Sequence, residues 1–366
     1  MKTSFFFFAF LLFFFSLHGL FYYRVIKKLL VPARVKKILT ILLWVNFLCN
    51  LLYVTGRYTD ILPNELYYLF SISIGITFVL LLYLAVHEII YLLGKTVKKM
   101  DRSKRNFIKK STDSMLLALS TGYIGAGIYE GSKEPVINIV DFKHFDFSIV
   151  QISDLHIGGL IDKKFVEISV KKINGLNPDI VFITGDLIDT GIDQIKDAVM
   201  ELDRIASKHG VYYVLGNHEY FHNPFKIIDF MQKTQIKVLL NENITIDALK
   251  LNVVGVTDLF GYRLGLLIPD IDKAFKGCNE NYQTILLAHQ PKFIEQLKNY
   301  MPDLILSGHT HGGQIWPFNY LVGLQQPYVK GLHRLPKGNH IYINSGIGFW
   351  GPPMRLNSQA EITYII

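Results

Sequence analysis

The chain has 366 residues, 50% of them hydrophobic, with a mean hydropathy of +0.26 and a formal net charge of +8. It is too apolar for a purely soluble protein and long enough for two domains. The positive charge does not point to nucleic acid, because residues 1–134 hold 17 Lys+Arg against 7 Asp+Glu while the rest hold 21 against 23.

The apolar excess lies early. Residues 5–23, 38–54 and 67–93 are each long enough, or nearly so, to cross a hydrocarbon core of about 30 Å, and a shorter, glycine-bearing stretch near 113–129 is a fourth candidate. The first stretch has the apolar run of a signal peptide, but Tyr22, Tyr23 and Arg24 stand where a small-residue cleavage site would be needed, so we read it as a retained helix. Arg24, Lys27, Lys28, Arg34, Lys36 and Lys37 follow the first stretch, and Lys95, Lys98, Lys99, Arg102, Lys104, Arg105, Lys109 and Lys110 follow the third. The connection between the second and third carries only Arg57 against Asp60 and Glu65. The positive-inside rule puts the basic connections in the cytoplasm. If the fourth stretch also crosses, everything after it lies on the extracytoplasmic face of a multi-pass cytoplasmic-membrane protein. Residues 103–110, Ser-Lys-Arg-Asn-Phe-Ile-Lys-Lys, resemble a twin-arginine export signal with Lys in place of the first Arg. His87 and Glu88 sit near the end of the third stretch, where they are expected to reach the interface beside Lys95. Cys49 and Cys278 offer no disulfide framework.

After a brief linker, 132–135, the pattern changes to short β-branched and aromatic runs separated by helix-like stretches. Strands are expected at 147–153, 180–184, 211–215, 250–256, 284–288, 304–306, 341–344 and 361–365, and helices at 163–176, 192–208 and 224–234. This divides the chain into a membrane domain, 1–134, and an α/β domain, 135–366, large enough for its own core.

Chemistry gathers at the strand ends: Ser153-Asp154-Leu155-His156, Gly185-Asp186-Leu187-Ile188-Asp189, Gly216-Asn217-His218-Glu219, Ala288-His289-Gln290-Pro291 and Ser307-Gly308-His309-Thr310-His311-Gly312-Gly313. Loops at the carboxyl ends of strands are where α/β sheets bind ligands, so five such loops can converge. Mixed nitrogen and oxygen donors suit first-row metals such as Mn, Fe, Zn or Co better than Ca or Mg. Taken singly, Asp154, Asp186 and Asn217 beside glycines read as turn residues, and Asp189 as a helix cap. His222, His333 and His340 read as surface or satisfied histidines.

The five blocks in order resemble the calcineurin-like metallophosphoesterase superfamily, and His-Gln-Pro, Gly-His-Thr-His-Gly-Gly-Gln and the stretch 346–353 resemble a membrane-associated bacterial branch of it. The resemblance implies a four-layer α-β-β-α sandwich after about four transmembrane helices, and a hydrolase that cleaves phosphomonoesters or phosphodiesters with metal-activated hydroxide. It implies two divalent ions: Asp154, His156 and His311 on one, Asn217, His289 and His309 on the other, and Asp186 bridging. It makes His218 the residue that contacts phosphate or protonates the leaving oxygen, with Glu219 orienting its ring.

The substrate is less determined. Trp316, Phe318, Phe349, Trp350 and Met354 follow the site loops and are either an apolar rim for a lipid-linked or nucleobase-bearing ester or part of the core. Lipid or envelope precursors and membrane lipid are the expected partners, nucleic acid is not, and the oligomeric state is left open. Two alternatives stand beside this: a UDP-diacylglucosamine-type pyrophosphohydrolase, which would need a cytoplasmic domain, and a membrane sensor or scaffold whose phosphoesterase domain only binds a ligand.

Overall fold

The computed structural model describes residues 2–59, 62–95 and 101–366, without the side chains of 2–7, 57–59, 64 and 95. Asp60, Lys98 and Lys99, read above as loop charges, lie outside the described residues. The chain divides into two compact units, Met1–Tyr129 with Gly351–Met354 and Glu130–Trp350 with Arg355–Ile366.

The first unit is helical: α1 (Lys2–Arg24), α2 (Ala33–Thr59), α3 (Asn64–Lys95) and α4 (Arg102–Gly131). Phe8–Lys28, Ala33–Gly56 and Glu65–Gly94 are long and apolar enough to cross a membrane. The expected fourth crossing is helical, but among the described residues only those three meet that standard. The first third of α4 is charged, and Ser120, Thr121, Gly122, Gly125 and Gly127 dilute the rest. Leu17, Phe21, Leu43, Tyr83 and Leu116 belong to the apolar core of this unit. A polar ladder runs beside them: Asn46 Nδ2 and Asn50 Nδ2 donate to Thr77 Oγ1 at 2.8 and 2.7 Å, Ser73 Oγ donates to Asn50 Oδ1 at 2.7 Å, and the buried His18 lies 3.2 Å from Asn46. Glu88, near the end of α3, is paired with a charge of α1. It accepts from Arg24 Nε at 2.8 Å, so the two charges cancel within the unit.

The second unit contains β1 (Val136–Val140), β2 (Ile149–Ile152), α5 (Lys163–Gly175), β3 (Ile180–Thr184), α6 (Ile192–Met200), β4 (Val211–Val214), α7 (Pro224–Met231), β5 (Ile236–Val238), β6 (Glu242–Ile246), β7 (Leu251–Gly255), α8 (Gly261–Leu264), α9 (Ile271–Phe275), β8 (Gln283–Leu287), β9 (Leu304–Ser307), α10 (Phe318–Val322), β10 (Gly331–Arg334), β11 (His340–Ile343) and β12 (Glu361–Ile365). They form two six-stranded sheets, ordered β1-β12-β2-β3-β4-β5 and β10-β11-β9-β8-β7-β6. Strands β2 to β5 are mutually parallel, as are β7, β8, β9 and β11.

Period-two side chains separate the layers. On β3, Ile180 and Phe182 enter the core between the sheets, whereas Val181 and Ile183 enter the core that includes Val166 and Ile173 of α5 and Ile227 of α7. On β8, Ile285 and Leu287 face the central core and Leu286 meets Ile271 and Ala274 of α9. The result is the four-layer α-β-β-α sandwich. Helix α5 starts where the Asp162 carboxylate accepts from Phe165 N at 2.9 Å, and α7 where the Asn223 side chain accepts from Lys226 N with Pro224 in the first turn. Helix α6 is shorter than expected, because the chain passes through a 3₁₀ turn, Glu201–Arg204, into extended Ile205. Strands β1, β5, β6 and β10 were not singled out from sequence. β5 is three residues long, and the other three are only partly buried.

Candidate metal centre

The carboxyl ends of β2, β3 and β4 in one sheet and of β8 and β9 in the other carry the five loops. The first two are laced together: Asp154, His156 and Ile157 donate backbone N–H to the carbonyls of Gly185, Asp186 and Leu187 at 3.0, 3.0 and 2.9 Å. Asp154, His156, Asp186, His309 and His311 all have left-handed backbones, with φ of 54°, 52°, 49°, 70° and 49°. Each costs about 1–3 kcal/mol, strain that concentrates at functional sites. Gly216 permits the approach of β4's loop, since a Cβ there would lie 2.3 Å from Asp186 N.

Two donor groups, each within 4.8 Å, gather the expected ligands, Asp154 with His156 and His311, and Asp186 with His289 and His309; a third, His156 with Asp189 and His218, shares His156 with the first. In the first, His156 Nε2 and His311 Nε2 are 3.0 Å apart and His311 Nε2 is 3.5 Å from Asp154 Oδ1. In the second, His289 Nε2 is 3.2 Å from Asp186 Oδ2, from His309 Nδ1 and from Asn217 Oδ1. His289 Nδ1 lies 2.7 Å from the Thr184 carbonyl, to which it can only donate, leaving Nε2 a lone pair. Asp186 Oδ2 also stands 4.0 Å from His156 Nε2, so one carboxylate oxygen reaches both groups. All seven residues expected from the resemblance are brought together.

Burial and the close packing of carboxylates and imidazoles set the electrostatics of these residues. Burial pushes Asp186 up, but His289, His218 and His156 hold it well below the usual carboxylate range. Burial lowers His289, yet Asp186, Asp154 and Asp258 raise it well above the usual imidazole value. Burial and then His289 push His309 down to about 3, and burial with His156 and Arg355 pushes His311 well down. Asp154 is pushed up to about 6 by burial. The converging imidazole nitrogens and carboxylate and amide oxygens fit borderline first-row cations.

His218 is buried beside the two groups, its ring 4.5 Å from that of His156 and its Nε2 3.9 Å from Asp186 Oδ2. The expectation that Glu219 turns this ring does not hold. Glu219 accepts from the backbone N–H of Gly216, Leu187, Ile188 and Asp186 at 2.7, 2.7, 3.1 and 3.2 Å, and so shapes the loops that hold Asp186 and Asn217. Burial and Asp186 push it up to about 7. The partner of the ring is Asp189, whose Oδ1 lies 2.6 Å from His218 Nδ1. The helix-cap reading of Asp189 therefore gives way, and α6 begins after Gly191 without a side-chain cap.

Two further residues were not found from sequence. Asp258, buried at the end of β7, accepts from Gln290 Nε2 at 2.9 Å beside His289, and its position after a strand was the available signal. Arg355, buried in an irregular stretch, donates to the carbonyls of Ser345, Gly346 and Gly348, and its Nη2 is 3.5 Å from His311 Nδ1. The aromatic residues divide. Phe349 and Met354 are buried, Trp316 and Trp350 are about half exposed, and Phe318 and Trp350 line a cavity of about 520 Å³ that also touches Asp186, Asn217, His218, His309 and His311. His333 bonds the Lys330 carbonyl and His340 packs edge-on against Phe142.

Residues 147–313 match the family model for calcineurin-like phosphoesterases. An uncharacterised metallophosphoesterase of Helicobacter pylori is 38% identical over 84% of this chain and 84% of its own. The chain belongs to the calcineurin-like phosphoesterase family. A transmembrane protein with a metallophosphoesterase domain from Bos taurus, 31% identical, matches 75% of this chain and 65% of its own length. A UDP-2,3-diacylglucosamine pyrophosphatase of Chlamydia muridarum is 28% identical over 58% of this chain and 81% of its own. Together with the three apolar helices, such relatives associate this metallophosphoesterase with membranes.

Proposed function

We propose that the chain is a membrane-anchored phosphoesterase that hydrolyses phosphomonoesters or phosphodiesters at a dinuclear metal centre, with lipid or envelope precursors as substrates and the catalytic domain on the extracytoplasmic face. The observation that carries this is the reach of Asp186 Oδ2 toward both donor groups, 4.0 Å to His156 Nε2 and 3.2 Å to His289 Nε2. Asp154, His156 and His311 would hold one ion, Asn217, His289 and His309 the other, and Asp186 both. Two such ions polarise the phosphoryl group and acidify a water at neutral pH.

The chain's own residues supply the rest. Thr184 fixes the tautomer of His289. Asp189 orients His218 so that Nε2 faces the centre and stabilises its protonated form, which suits His218 to give a proton to the departing oxygen. Glu219 keeps the loops of Asp186 and Asn217 in register through its four backbone bonds.

The test is hydrolysis of a chromogenic monoester and diester by the full chain in lipid nanodiscs, stripped of metal and restored with Mn, Zn, Fe or Co, beside Asp186→Ala and His218→Ala. Metal-dependent turnover lost in both variants is expected. Folded protein that binds no metal would overturn the reading and leave the sensor. The Chlamydia relative favours a second reading, a pyrophosphohydrolase with a cytoplasmic domain. An active alkaline-phosphatase fusion at the C-terminus would rule it out.

A further inference from the structure

Beside the metal centre stands an apolar wall. Phe318, Leu321 and Val322 of α10, Leu324 after it and Trp350 line the same 520 Å³ cavity as Asp186 and His218. Leu321, Leu324 and Trp350 are 55%, 81% and 49% exposed. A single exposed leucine means little, but this group is contiguous and opens onto a catalytic cavity. Among the described residues that line the cavity, none is Lys or Arg. A nucleoside diphosphate would bring a second phosphate with no side-chain cation to meet it. One phosphoryl group on the metals, followed by hydrocarbon, matches the lining.

The wall is fastened to the ligand loop. Gly313 has φ 81°, and a Cβ there would lie 2.4 Å from Asn319 Cα, so α10 packs directly on the backbone two residues beyond His311. Gln314 grips Trp350 at both backbone groups, its Nε2 donating to the carbonyl at 3.1 Å and its Oε1 accepting from the N–H at 2.8 Å. The Phe318 and Trp350 rings stand 6.1 Å apart. The Gly-Gly-Gln that follows His311 thus sets an apolar surface at a fixed place relative to the ligands.

We infer that this wall is the subsite for the alcohol part of the substrate, which is a hydrocarbon chain, so that the preferred substrate is an amphiphile with a single phosphate ester. This rests on the phosphoesterase reading above and narrows its substrate class. For a monoester, water forms the new P–O bond, the P–O bond to the chain breaks, and a proton passes to the departing oxygen. The products are a long-chain alcohol and inorganic phosphate.

The test uses the full chain in nanodiscs, loaded with metal, and alkyl phosphates from butyl to octyl below their micelle concentrations. Each buried methylene favours binding about two- to fourfold, so over the four methylenes that separate octyl from butyl phosphate kcat/KM is expected to rise roughly 15- to 250-fold. In Leu321→Gln/Leu324→Gln the same ratio, taken within the variant, is expected below about fivefold. A flat ratio in the wild type overturns the inference, leaves the phosphoesterase reading intact and reassigns the wall to a bilayer or protein contact. Preference for a UDP-sugar over octyl phosphate also overturns it. Should the loaded wild type hydrolyse none of these esters and neither the chromogenic monoester nor the chromogenic diester, the phosphoesterase reading falls, and titration with butyl- to octylphosphonate decides the wall alone. A blue shift of tryptophan emission that grows with chain length and vanishes in Trp350→Phe supports it, and no shift overturns it.

Discussion

His218 Nδ1 stands 2.6 Å from Asp189 Oδ1, while the other ring nitrogen, Nε2, is 3.9 Å from Asp186 Oδ2. The pair joins the loop after β4 to the loop after β3, so the His218 ring is aimed from a neighbouring strand. If His218 delivers a proton to the leaving oxygen, the need for Asp189 depends on how poor the leaving group is. Asp189→Ala is expected to lower kcat about 10- to 100-fold for an alkyl phosphate and less than fivefold for p-nitrophenyl phosphate, whose departing oxygen needs no proton. Equal losses on both would remove the general-acid role.

Metal stoichiometry separates the bridging residue from its neighbours. Elemental analysis after dialysis against trace Mn or Zn is expected to give two ions for the wild type and one for Asn217→Ala. Asp186→Ala is expected to fall below one, because it faces both donor groups. Two ions retained in Asp186→Ala would mean that the carboxylate does not bridge.

Glu219 is predicted to act on assembly and not on the proton. Glu219→Ala leaves four buried N–H groups without their acceptor, at a cost of about 3–5 kcal/mol, whereas Glu219→Gln keeps one oxygen and costs about half. For a domain of this size that is a fall in Tm of roughly 10 °C for Ala, readable by circular dichroism.

Chelation should loosen the site. If metal ions occupy the proposed centre, removing them would leave five left-handed residues and several buried charges without a balancing ion. The apo protein is expected to unfold earlier and to recover when Mn or Zn is restored, by an amount that grows with the logarithm of metal concentration. A melting curve indifferent to chelator would contradict this.

Asp179 carries an acid-side contribution away from the metals. Burial pushes its carboxyl up, but Lys208 Nζ and the N–H and hydroxyl of Ser148, at 2.8, 2.7 and 2.8 Å, hold it down to about 2. Its folded value lies below the unfolded one near 3.9, so the stabilisation is present above about pH 4 and is lost as pH falls toward 2. Discounted for partial exposure this is about 1–2 kcal/mol. Asp179→Asn should lower the urea midpoint at pH 7, and the gap from wild type should close near pH 2.

The clustered donor residues were legible because each stands at the end of a strand whose apolar run is visible in sequence, as Leu304, Ile305 and Leu306 announce His309 and His311. What failed was assignment between near neighbours. Glu219 adjoins His218 in the chain, but the tight turn points its carboxylate back at the backbone, and the ring finds Asp189 from 29 residues upstream. Arg355 and the α10 wall carry no periodic signal, since their place depends on how irregular segments fold over the strand ends. The short, partly buried strands β5, β6 and β10 likewise offer too few apolar positions to mark a face.

The ladder of Asn46, Asn50, Thr77 and Ser73 has a consequence for biogenesis. Both amide Nδ2 groups of α2 donate to a hydroxyl of α3, and the Asn50 oxygen accepts from another. A solitary α2 in hydrocarbon would bare two amides, each worth about 1–2 kcal/mol once a partner helix is present. The two helices therefore gain by entering the bilayer as a pair whose polar side chains meet one another and not hydrocarbon.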